Sequence, residues 1–259
     1  MNNLPTLSDT KRAFYAAHTR PISSIYRRVL EEMMVEMHLL GVNASFNYDS
    51  IYALGVVTAF DRFMAGYRPE SDIDSIFKAL CQAIGSDAAT YRKDAQALLD
   101  IATSLTPEDF VALIDLSAGA EVGGSLRSTL AQLSDQKNFK YSRLFAIGLF
   151  TLLETAAPDW LEDGEKQGEI WKTASQSFNL PLEKLKKDVE LYRSNLEKLA
   201  QARVLMEEVT QAERKKREQR EQERKAKAEA KAAKAEAGAE AETPAEPAAE
   251  ESAESDSPA

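Results

Sequence analysis

Cysteine is almost absent. Cys81 is the single one in 259 residues, so no disulfide can form within the chain and nothing points to an oxidising compartment. It sits in "IFKALCQAIG", whose apolar neighbours predict a buried, inert thiol. Histidine is as scarce: His18 and His38 are the whole complement. No cysteine–histidine zinc spacing exists, and with no Gly-x-Ser-x-Gly elbow a serine triad has little support. The longest apolar run, "LFAIGLFTLL" at 144–153, falls far short of the ~20 residues of a membrane span. The N-terminus lacks a basic region followed by an apolar run, so no signal peptide is expected. A soluble chain follows as the expectation, with any membrane association peripheral. Residues 211–259 hold no aromatic and no branched or long apolar side chain, and such a stretch cannot build a core.

Charge is distributed unevenly. Residues 1–210 carry −7, residues 211–236 carry +4 and residues 237–259 carry −7. An acidic body argues against nonspecific nucleic-acid binding, which needs phosphates neutralised. The basic block "RKKR" at 214–217 could touch acidic lipids or RNA, but is read first as a solvated helical face, because acids are interleaved at helical spacing.

What is abundant is helical periodicity. In "HTRPISSIYRRVLEEMMVEMHLL", Ile22, Tyr26, Val29, Met33, Met37 and Leu40 share one face, and Pro21 fits the first turn. A second helix is expected through "YDSIYALGVVTAFDRFMAGY", capped by Asp49 and ending near Gly66. Ser71 and Asp74 stand at capping-box spacing, as do Thr106 and Asp109 around Pro107. Further helices are expected at about 87–104, 124–133, 142–156 and 158–177. From Pro181, Leu182, Leu185, Val189, Tyr192, Leu196 and Leu199 form a heptad seam, which meets Arg203 and shifts to Leu205 and Val209. Being short, the seam is expected to pack on the body rather than on a second chain. One helix should run from about 182 and fray past 225. The predicted fold is all-α: a compact multi-helix body over 1–180, a long C-terminal helix over 181–236, and a disordered acidic tail over 237–259.

The motifs that carry chemistry are weak. Glu36 and His38 lie two apart, about 200° around a helix, and cannot chelate together; both histidines read as capping or packing groups. Glu32 and Glu36 share a face and leave a carboxylate-only site as a residual idea. The glycines of "GAEVGGSL" at 119–126 read as an interhelical turn, because Ser125 stands where a phosphate loop needs lysine. Met33, Met34 and Met37 suit either an adaptable groove or a core. Surface chemistry remains. Arg20, Tyr26, Arg27, Arg28, Asp61, Arg62, Tyr67 and Arg68 are candidates for partner contact, since arginine and tyrosine make good interface anchors. Asp61 and Arg62 equally suit pairing with Arg27, Arg28 or Glu31 to lock two helices together.

Three stretches carry a resemblance: "TKRAFYAAHTRPISSIYRRVLEEMMVEMHLL", "YDSIYALGVVTAFDRFMAGYRPE" and "IFKALCQAIGSDAATYRKDA". They resemble the thylakoid formation family, also described as photosystem II biogenesis proteins, of cyanobacteria and plastids. The match is dense from about 6 to 100 and looser to about 210. The resemblance implies an all-helical, non-catalytic accessory protein without cofactors. It also implies partners: FtsH protease complexes, photosystem II subunits and the cytoplasmic face of the thylakoid membrane, the lack of a transit peptide suiting a cyanobacterium. The alternative is a peripheral membrane-organising protein that binds lipid or photosystem subunits directly. A monomer is expected.

Overall fold

The computed structural model describes residues 4–136 and 138–239, with side chains to 228. Ten α-helices and no strand occur among them: α1 Leu7–Ala17, α2 Ser24–Gly41, α3 Ser50–Met64, α4 Ile73–Ala83, α5 Ala88–Ser104, α6 Pro107–Ile114, α7 Gly124–Asp135, α8 Arg143–Ala156, α9 Gly164–Phe178 and α10 Leu182–Ala239. The chain divides into two units, Met1–Arg203 and Val204–Ala259. The expected tail lies almost wholly outside the described residues.

Helix starts follow side-chain capping, which satisfies backbone N–H groups that have no partner in the first turn. Asp49 accepts from the Tyr52 N–H at 2.8 Å and Ser142 from the Phe145 N–H at 3.0 Å. Thr106 and Asp109 close the expected capping box, with Pro107 in the first turn. An equivalent box, Thr6 with Asp9, starts α1, a helix that the apolar pattern did not announce.

Three boundaries differ from expectation. Pro21 lies outside α2, which begins at Ser24; residues 18–23 are irregular, and this carries Ile22 into the core. Ser71 and Asp74 form no capping box: a 3₁₀ turn, Glu70–Asp72, precedes α4, and the buried Asp72 carboxylate is drawn to Arg20 instead. The segment 158–177 is two elements, a 3₁₀ turn at Pro158–Leu161 and α9, because Asp163 caps a new start by accepting from the Glu165 and Lys166 N–H groups.

At the centre of Met1–Arg203, α3 crosses α8 and packs on α5. Both central helices are apolar on nearly every side, as a helix enclosed by others must be. Glycine lets them touch: a Cβ on Gly55 would lie 1.7 Å from the Leu144 carbonyl oxygen, and one on Gly148 would lie 1.9 Å from that of Ile51. The heptad seam packs on this body. Leu185, Val189, Tyr192 and Leu199 are buried, and Tyr192 meets Phe63 edge to face at 5.7 Å. Beyond it, Val204, Leu205, Met206 and Val209 are exposed, so the shifted seam covers nothing in its own unit.

Candidate functional site

The ionisable groups of the opening helices go mostly into ties between helices. Glu36 of α2 accepts from Arg143 (Nη2 2.8 Å, Nε 3.1 Å) and, through its other oxygen, from the Leu144 N–H at 3.2 Å. One carboxylate thereby pairs a cation and occupies the positive end of α8. Glu31 accepts from Lys11 and from the Tyr15 hydroxyl, both at 3.0 Å, which holds its carboxyl below the usual range. Glu32 pairs with Arg28 along α2. Glu32 and Glu36 therefore face different cations and do not converge on a shared site. No group of three metal-ligating side chains occurs among the described residues.

Both histidines are buried and packed. His38 Nδ1 lies 2.9 Å from the Thr10 hydroxyl, tying α1 to α2, and His18 Nδ1 lies 3.1 Å from the Ser75 hydroxyl at α4. Met33, Met34 and Met37 are core residues. Cys81 is buried, and loss of solvent pushes its thiol up to about 12. The 119–123 glycines do form a turn between α6 and α7, with Gly123 at φ +77° and Leu113 against its α-carbon, a conformation glycine adopts without penalty.

The candidate contact residues separate into distinct environments. Tyr26 and Tyr67 are buried against each other, edge to face at 5.1 Å. Arg20 holds Asp72, and Arg68 holds its neighbour Glu70. Asp61 and Arg62 do lock helices, but with partners other than those expected. Asp61 accepts from both terminal nitrogens of Arg92 in α5 at 3.0 Å, and Arg62 pairs with Glu154 in α8. Both ties therefore run from α3 to α5 and α8 rather than to α2. Arg27 donates to the Ile22 carbonyl at 3.0 Å and, with Arg28, lines a surface groove. Of the eight candidates, only Arg27 and Arg28 line that groove.

The groove comprises two hollows of about 1120 and 760 Å³ that share Ser24, Arg28, Glu32 and Arg143 in their linings. Side chains of α2 and of α10 up to Ala202 line it, together with the start of α8. Sequence reasoning assigned neither Arg143 nor Arg203 a role. Arg203 donates to the carbonyls of Arg62 (3.3 Å) and Phe63 (3.1 Å) at the end of α3. Its interruption of the heptad seam was the available signal.

The model of the family described as "Thylakoid formation protein" matches residues 6–221. Protein Thf1 of Trichormus variabilis (strain ATCC 29413 / PCC 7937) is 54% identical over 220 residues, 85% of this chain and 94% of that one. Protein Thf1 of Nostoc punctiforme (strain ATCC 29133 / PCC 73102) is 52% identical over the same shares. A solved structure of Psb29 superposes with a TM-score of 0.71 at 44% identity, covering 82% of this chain and 98% of that one. The chain belongs to the thylakoid formation protein family.

Proposed function

We propose that this chain is a non-catalytic accessory protein of thylakoid formation and of photosystem II biogenesis and repair. It acts by binding FtsH protease complexes at the cytoplasmic face of the thylakoid and stabilising their assembled form. A protein that binds only the assembled state shifts that equilibrium by mass action. The observation that carries the reading is the disposition of the charged groups of the opening helices. Glu31, Glu36, Asp61 and Arg62 hold helices to one another, while Arg27, Arg28 and the exposed Leu39 border an open groove. This is the arrangement of a rigid binding body. Deleting the gene tests it: FtsH abundance should fall and photosystem II repair after strong light should slow. Unchanged values of both would contradict the proposal.

A second reading, direct contact with anionic lipid, is favoured by one feature of α10. The exposed Val204, Leu205, Met206 and Val209 precede the basic block 214–217, so a short apolar turn adjoins positive charge. Flotation with anionic liposomes at physiological salt decides it, and failure to float removes it.

A further inference from the structure

The groove beside α2 has the dimensions and chemistry of a receptor for a helix. On α10 its lining runs from Lys184 to Ala202, about 27 Å at 1.5 Å per residue, or five helical turns. Its apolar surface includes Ile25, Val29, Phe63 and Ile147, flanked by two large side chains that are exposed, Leu39 at 59% and Leu191 at 44%. Exposed leucines in both hollows of one groove are anchor points without an intramolecular partner.

Charge in the groove is one-sided. The carboxylates there are already engaged: Glu31 by Lys11, Glu32 by Arg28, Glu36 by Arg143, and Asp188 by the Tyr141 hydroxyl at 2.8 Å. Of the four lysines in the lining, only Lys11 is held in an ion pair among the described residues. Lys140 and Lys198 are exposed and hold no ion pair among the described residues, and Lys184 lies over the Tyr141 ring at 5.1 Å. We propose that this groove binds an amphipathic helix of a partner protein, with an apolar stripe seated between Leu39 and Leu191 and acidic side chains meeting Lys140, Lys184 and Lys198.

Other occupants fit less well. The chain's own segment 237–259 supplies seven acids but no leucine, isoleucine, valine, methionine or aromatic residue to fill the apolar positions. A free acyl chain needs walls that exclude water, whereas this groove is open along its length. The proposal names the surface through which the accessory function would work, and it rests on that reading for the partner's identity. Its test does not use FtsH, so the two fail independently.

The test uses two fluorescein-labelled 18-residue synthetic helices with the same leucine stripe, one flanked by glutamates and the other by lysines, titrated with the full chain by anisotropy. The glutamate peptide should bind at least tenfold tighter than the lysine peptide. Lys184→Glu with Lys198→Glu should cut its affinity at least tenfold, and Leu191→Glu should abolish it, with circular dichroism unchanged. Lys215→Glu with Lys216→Glu, outside the groove, should leave binding intact. The proposal is overturned by no binding of the glutamate peptide, by equal binding of the two peptides, or by binding indifferent to the groove variants. It is also overturned if oleate displaces the peptide and itself requires Leu191.

Discussion

Gly55 and Gly148 face each other where α3 crosses α8, each occupying the only kind of residue site that lets the other helix's backbone approach so closely. A methyl group at either position would penetrate a carbonyl that belongs to a helix and cannot move alone. Gly55→Ala or Gly148→Ala should therefore cost at least about 3 kcal/mol, at the severe end of overpacking. Gly168 of α9, where a Cβ would meet nothing within 4 Å, is the control. Gly168→Ala should stabilise by roughly 0.5–1 kcal/mol through helix propensity. Urea denaturation of the three variants checks both signs.

Glu36 joins three donors on α8 through one carboxylate, and both side chains of the Glu36–Arg143 pair are largely shielded. Glu36→Ala should lower stability by about 2–3 kcal/mol, since it strands the Arg143 cation and leaves the Leu144 N–H in the first turn of α8 without its acceptor. Arg143→Ala should cost less, because Glu36 keeps the Leu144 N–H. Chemical denaturation of the two single variants and their double variant gives the coupling.

Asp49 caps α3 from a site where burial outweighs its backbone hydrogen bonds and raises its pKa to about 6. The folded state then binds a proton more tightly than the unfolded chain does, so stability is greatest below pH 4 for this group. It is lost as pH rises towards 6. Asp49→Asn keeps the capping oxygen without the charge. It should flatten the decline of stability between pH 4 and 6, a change of about 1–2 kcal/mol after allowance for partial exposure. Thermal melts across that range, wild type against variant, measure it.

The seam residues of α10 bury themselves on the body, so the fold needs α10 as far as its last contacts. Leu185→Ala should cost about 2–4 kcal/mol. A chain ending at 180 should expose Phe63 and Phe150, which flank Tyr192, and bind a hydrophobic dye. One ending at 203 should keep the melting temperature within a few degrees and run as a monomer in light scattering.

How much of this was legible in the sequence depends on how local the cause is. Asp49, Thr106 and the seam from Leu185 to Leu199 announce themselves, because caps and stripes are set by neighbours a few residues away. Helix α1 buries only Thr10 and Phe14, so its start is marked by Thr6 and Asp9, at the spacing of Thr106 and Asp109, and not by an apolar stripe. Where a distant partner competes, local rules mislead. Asp72 goes to Arg20, 52 positions away, so a 3₁₀ turn precedes α4 and Ser71 caps nothing. The Asp61–Arg92, Arg62–Glu154 and Glu36–Arg143 pairs and the Gly55–Gly148 contact all join separate helices, and no spacing rule encodes them. The groove belongs to that class as well. Leu39 and Leu191 border one groove only through the packing of α10.

An affinity pull-down from detergent-solubilised thylakoids, with the full chain as bait and mass spectrometry as readout, decides whether FtsH is the partner. FtsH subunits should be retained above a mock control, in amounts comparable to the bait. A bait that is folded by circular dichroism and retains no FtsH would contradict the proposed function.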